Sequence, residues 1–393
     1  MVAACSSSPD QSDSGTDDAG NDAPIGSSAW KVVVPKDGAT IQAQTVAAFW
    51  FESETNGLVA FSDGLVEHFA SPTTIDTIAL DGSAHDGDTY LGFITSTPLG
   101  IVVRNRDGSQ LVTSADKGKT FTYQAMFKTL TAPSGVAATF PLLWLGTDKT
   151  NAWHVAISAG GGDVYSSSAQ PGPTVTLTDT WHPTGAVTVP ATIPSGDCTD
   201  YVVDTITPNQ PFAVTTDGSA MVYASGTAIC HSSDDGKTFV DVSSHITPST
   251  FTSHPPPLGF LFTSATAGIA YYGSDLDNPG TAYVLTTSDG GDDWTVGTLP
   301  AIAASDTISL DSAFASPSGT LYMVGGSSTT LLLFRSTDAG KTWTDIGASV
   351  TAAADALPEN TPVRLVAGFA LDDQRIWVGS DSGFIAYTAT GGQ

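Results

Sequence analysis

Apolar residues fall in short runs separated by clusters of Gly, Asp, Ser, Thr, Asn and Pro, and no stretch sustains the 3.6-residue spacing of an amphipathic helix. The clearest unit is Gly259 to Leu299, GFLFTSATAGIAYYGSDLDNPGTAYVLTTSDGGDDWTVGTL, which reads as strand, turn at SATAG, strand, loop at SDLDNPG, strand, turn, strand. The same grammar fits Tyr90 to Phe127, Pro211 to Ser243 and Ser312 to Ala348, and two further stretches, Val46 to Leu80 and Phe140 to Thr178. Six four-stranded units of similar length imply a repeat architecture in which no unit buries its own faces alone.

Four of these units carry one pattern before their last strand: SADKGKTF from Ser114, SSDDGKTF from Ser232, TSDGGDDW from Thr287 and STDAGKTW from Ser336. The shared positions are Ser114, Asp116, Gly118, Thr120 and Phe121; Ser232, Asp234, Gly236, Thr238 and Phe239; Thr287, Asp289, Gly291, Asp293 and Trp294; and Ser336, Asp338, Gly340, Thr342 and Trp343. An Asp that bonds the amides of its own turn, a Gly with positive φ and an aromatic that anchors the next strand make a hairpin staple and not a catalytic site. The pattern resembles the Asp-box (BNR) repeat of β-propellers, in the broad group that includes WD40-, YVTN-, Ycf48- and sialidase-like propellers.

The box aromatics are 118, 55 and 49 positions apart, so the first interval spans two repeats, one of them without a recognisable box. A period near 50 fits propeller blades. The C-terminal LVAGFALDDQRIWVGSDSGFIAYTAT supplies three strands, and AWKVVVP (Ala29 to Pro35) is a strand without a unit of its own. The expected fold is all-β: a seven-bladed β-propeller of four-stranded antiparallel blades over 29–393, with the N-terminal strand closing the last blade. Six or eight blades also fit the pattern.

Residues 1–28 are read as a separate segment. Val2-Ala3-Ala4-Cys5 resembles a bacterial lipobox, which implies lipidation at Cys5, and the following Ser/Asp-rich run has the composition of a disordered tether. An ordinary tail with an incidental Cys is the alternative. Cys198 and Cys230 form an even pair, read as the disulfide of an exported protein, with two buried thiols as the alternative. Acidic residues are 36 Asp and only 4 Glu, which suits turns and not helices.

A formal charge of −27 with 8 Lys and 5 Arg excludes a nucleic-acid partner and an anionic membrane surface, so any membrane contact runs through the lipid anchor. Sialidase-type enzymes, which the boxes bring to mind, use an arginine triad, a FRIP-like motif and a Tyr–Glu pair. No FRIP-like string occurs, the arginines Arg104, Arg106, Arg335, Arg364 and Arg375 leave at most a partial triad, and Glu52, Glu54, Glu67 and Glu359 are the whole Glu supply. No GxSxG, P-loop or HExxH motif is present and the seven His are scattered, so no metal or cofactor is expected.

The resemblance implies that the boxes lie at one end of the ring. A partner then meets the other end, where the loops between second and third strands and the links between units gather. Arg104, Arg106, Trp181, His182, His254, Asp275 and Asp277 are the candidates for that face. The expected function is an exported, lipid-anchored, monomeric binding or assembly scaffold of a bacterial cell envelope, taking a protein or a neutral glycan. It resembles non-enzymatic propellers of the photosystem II assembly factor (Ycf48) type, and the alternative is a sialidase-like glycoside hydrolase with a divergent site.

Overall fold

A computed structural model describes residues 29–35, 44–62, 66–77, 91–97, 100–105, 110–114, 116–118, 122–125, 130–131, 137–138, 142–147, 153–159, 163–169, 198, 212–225, 227–234, 239–249, 251, 256–273, 282–301, 308–327, 330–355 and 364–392. Cys5 and the rest of residues 1–28 lie outside them. The described chain forms seven sheets of three to five strands and one two-stranded ribbon, Leu130–Thr131 with Ala137–Ala138.

Sheet I contains Val46–Ser53, Asn56–Phe61, Val66–Ser71 and Thr74–Thr77; sheet II contains Leu91–Thr97, Gly100–Asn105, Gln110–Ser114 and Thr122–Ala125. Sheet III contains Leu142–Thr147, Trp153–Ala159 and Asp163–Ala169; sheet IV contains Phe212–Val214, Met221–Ser225, Ala228–Ser232 and Val240–Asp241. Sheet V contains Gly259–Phe262, Gly268–Tyr272, Tyr283–Thr287 and Trp294–Val296; sheet VI contains Ser309–Ala315, Leu321–Gly326, Leu331–Ser336 and Thr344–Asp345. Sheet VII contains Leu365–Ala370, Ile376–Ser380 and Ile385–Thr388, and its outer edge is Trp30–Val32, with Trp30 opposite Thr388 and Val32 opposite Ala386. The N-terminal strand therefore completes the last sheet, as the orphan run AWKVVVP suggests.

First strands sit side by side in order from sheet I to sheet VII, and the first strand of sheet VII lies beside that of sheet I. Among the described side chains of sheets IV to VII and I, the cores lie between successive sheets. Ile269 and Tyr271 face sheet VI in a cluster with Leu310, Met323 and Phe334, while Ala270 and Tyr272 face sheet IV with Val222 and Ile229. Alternate residues of one strand thus serve opposite neighbours, which is why the strands read as continuous apolar runs and not as an inside–outside alternation. Between sheets VII and I, Phe51 stacks on Trp377 with ring centroids 3.8 Å apart.

The structure departs from the sequence reading at three places. Sheet III has three strands among the described residues, not four. Helix α1, Gly347–Asp355, begins where the unit Ser312 to Ala348 was expected to end; its Ala-rich segment favours helix, the Asp345 carboxylate accepts from the Gly347 amide, and Val350, Ala353 and Ala354 are buried against sheet VI and Trp30. Sheets I and V carry a fifth, parallel strand: Val34–Pro35 lies along Thr74–Ile75 and Ile246–Thr247 along Trp294–Thr295. Thr298 makes a parallel bridge to Thr342. In each case the chain leaves the outer strand of one sheet and straps onto the outer strand of the next.

Candidate functional site

The hairpins that join first to second and third to fourth strands lie at one end of the molecule, and the four repeated turns are among them. In each, the first hydroxyl donates to the Asp: Ser114 to Asp116 at 2.8 Å, Ser232 to Asp234 at 2.9 Å, Thr287 to Asp289 at 2.7 Å and Ser336 to Asp338 at 2.8 Å. In three the same hydroxyl accepts from the Gly amide, at Gly118, Gly291 and Gly340. The Asp then gathers the amides that follow, Asp292 and Asp293 for Asp289 and Thr342 for Asp338.

Burial pushes the Asp289 carboxyl up, but bonds from Thr287 and the turn amides outweigh it and hold the group below the usual carboxylate range. The Thr342 hydroxyl and amide do the same for Asp338. The indoles of Trp294 and Trp343 donate to the Gly291 and Gly340 carbonyls at 2.9 and 2.8 Å. Phe239 is buried in sheet IV against Tyr223, whereas Thr120, Phe121, Gly236 and Thr238 lie outside the described residues.

Three of these turns dock on the preceding sheet. A Cβ on Gly340 would stand 2.6 Å from Cγ2 of Ile269 in sheet V, one on Gly291 3.0 Å from Cγ1 of Val222 in sheet IV, and one on Gly118 2.8 Å from Cδ1 of Leu58 in sheet I. Charged groups brace the same end: Lys117 with Glu52, Asp373 with the Ser316 and Ser318 hydroxyls, and Arg375 with Asp372 and Glu54. Tyr387 donates to Glu54 there, and burial, followed by the Glu54 bond, pushes its phenol well above its usual value.

The opposite end holds a second constellation. Arg364, just before the first strand of sheet VII, donates through Nη1 to Asp311 of sheet VI at 3.1 Å and through Nε to Asp381 at 3.3 Å. Asp311 sits where the pairing of the first strand shifts between Leu310 and Ser312; equivalent irregularities follow Val46, Leu91, Leu142 and Leu365 in sheets I, II, III and VII. A bulge turns its residue out of the ladder and re-aims the side chain. Burial raises the Asp311 carboxyl, Arg364 opposes the rise and Asp381 adds to it. Arg364 is 44% exposed and Asp311 17%.

Of the residues expected on this face, Arg104 lies in the second strand of sheet II opposite Phe93. Arg106, Trp181, His182, His254, Asp275 and Asp277 lie outside the described residues. Arg364 and Arg375 stand at opposite ends and Arg335 in the third strand of sheet VI, so these three do not form a triad. Cys198 and Cys230 are joined in a disulfide with Cα atoms 5.7 Å apart, and Tyr223 donates to the Cys198 carbonyl. Among the described residues no group of three or more His, Cys, Asp or Glu is placed to hold a metal, and no helix is long and apolar enough to cross a membrane.

No protein-family model and no curated protein matches the sequence. Solved structures do match. YCF48 bound to D1 peptide is 12% identical with a TM-score of 0.54, covering 92% of this chain and 97% of that one. The WD40 β-propeller domain of Doa1 is 10% identical with a TM-score of 0.51, covering 91% of this chain and 96% of that one. The GH74 xyloglucanase of Xanthomonas campestris is 14% identical with a TM-score of 0.58, covering 92% of this chain; the chain spans 53% of that enzyme. The chain is a β-propeller. Its architecture is of the type shared by Ycf48 and WD40 propellers.

Proposed function

We propose that this chain is a seven-bladed, exported β-propeller acting as a non-catalytic binding or assembly scaffold, with a protein segment or neutral glycan as partner at the end opposite the repeated turns. The observation that carries this reading is the division of labour between the two ends. The turn end is committed to bracing one sheet on the next, while the opposite end presents Arg364 fixed between two carboxylates and half in solvent. The cyclic order of first strands supports the blade count, and the buried disulfide supports an oxidising compartment. Lipidation at Cys5 completes the proposal, and the repeated Asp turns are structural staples in it. A similar propeller bound to a D1 peptide supports a peptide as partner.

A second reading, glycoside hydrolysis at a divergent site, is favoured by one observation: the Asp311 carboxyl, raised by burial, stands beside Arg364-held Asp381. One experiment separates the two. The full chain is passed over peptide and glycan arrays and assayed for turnover of aryl glycosides and xyloglucan, alongside Arg364→Ala and Asp311→Asn. Binding weakened about tenfold or more by Arg364→Ala, without turnover, is the expected result. Turnover abolished by Asp311→Asn establishes the hydrolase instead.

A further inference from the structure

The seam between sheets IV and V brings two imidazoles against the turn that docks there. His231, in the strand Ala228–Ser232, has a side chain 11% exposed, and its Nδ1 lies 3.9 Å from Oδ1 of Asp292 in the 288–293 turn of sheet V. A Cβ on Gly291 would stand 3.6 Å from Cδ2 of His231, so this turn closes over the ring edge that carries Nε2. That Nε2 is buried with no hydrogen-bond partner among the described residues. His245, at the end of the 3-10 turn Ser243–His245, is 41% exposed; its Nδ1 donates to the Asp292 carbonyl at 3.0 Å and lies 3.8 and 3.5 Å from the Asp292 and Asp293 carboxylates.

The two rings stand in different surroundings. His245 has solvent on one side and carboxylates on the other. In the neutral tautomer that turns Nδ1–H toward Asp292, Nε2 is a bare lone pair under the turn. Protonation places an N–H where no described residue accepts it and a charge on a ring largely shut off from water. The titratable groups facing His231 are Asp292 and Asp289 from the turn and His245 from the 3-10 segment. Burial lowers its pKa, and it outweighs the two carboxylates, which pull the other way; His245 adds to the lowering.

We propose that His231 is an acid release for this seam: when its ring is protonated, the 288–293 turn of sheet V lifts from sheet IV. A His whose folded pKa is depressed stabilises the fold fully above its ordinary pKa near 6.5 and loses that contribution as pH falls through the lower folded value. The docked turn therefore holds at neutral pH and is released in mild acid. The equivalent turn of sheet VI, Ser336–Thr342, docks on Ile269 and Thr286 and serves as an internal reference.

Hydrogen exchange of the full chain, corrected for the intrinsic pH dependence of amide exchange, decides the matter at about pH 7.5 and about pH 5. In the wild type, exchange over 288–294 should rise about tenfold on acidification relative to 337–343. His231→Leu should abolish the difference and His245→Gln should keep it. An equal response of both turns, a response that survives His231→Leu, or one lost in His245→Gln overturns the proposal. Should His231→Leu not fold, the comparison of the two turns in the wild type and in His245→Gln still decides.

Discussion

At the scale of single residues, the repeated turn works by a hydroxyl as much as by an aspartate. The Asp is the most visible letter of the pattern, yet Ser336 and its equivalents make the first capture of the Gly amide. The backbone also asks for more than the sequence displays: φ is positive at Lys117, Gly290 and Ala339 as well as at Gly118, Gly291 and Gly340. Two residues with opposite demands therefore stand side by side in sheet VI. Gly340→Ala adds a Cβ at φ +86 that meets Ile269 at 2.6 Å, and should lower stability by about 2 to 3 kcal/mol in urea unfolding. Ala339→Gly relieves a left-handed Ala and should leave stability unchanged or raise it by up to about 1 kcal/mol. Equal losses from both would mean that docking, and not backbone conformation, sets the cost. A fifth copy escaped the sequence reading: Thr388 accepts from Thr390 and Gly392, and Gly391 and Gly392 have positive φ. With Thr in place of Asp, it has lost the letter by which the others are found.

Among the elements, strands were legible and their exceptions were not. Apolar runs bounded by turn residues located the strands of sheets I, II, V and VI closely; in sheets I, V and VI burial on both faces leaves few polar interruptions. The straps Val34–Pro35 and Ile246–Thr247 are two residues each, too short for any periodicity. Helix α1 is signalled by composition alone, GASVTAAAD, with Ala in place of an amphipathic pattern. The disulfide ties the connection between sheets III and IV to the third strand of sheet IV across a separation of 32 residues. Closing a loop of that length is worth about 3 to 4 kcal/mol in the chain-entropy model. Thermal unfolding of the Cys198→Ala, Cys230→Ala double variant should show a loss of that order, and a change below about 1 kcal/mol would mean that Tyr223 and the surrounding core hold Cys198 without the bond.

For the molecule as a whole, ring closure was written in the sequence as a deficit, three strands at the C-terminus and one spare at the N-terminus. The constellation at the opposite end was not. An Asp within ISLDSAFA looks like any interruption, and only the shifted pairing at Asp311 and the reach of Arg364 from the next sheet reveal a shared site. Closure has one more outcome. Trp30 pairs with Thr388 and lies against Gly392, so the described chain starts and finishes in a single sheet. Joining Gln393 to Ala29 through a short Gly/Ser linker and opening the backbone after Ala301, between sheets V and VI, should give a protein with the same near-ultraviolet spectrum and a midpoint of unfolding within about 5 °C of the parent. A permutant that fails to fold would show that the order of synthesis matters to assembly. One that folds would make the present first residue of the ring an accident of where a circle was cut.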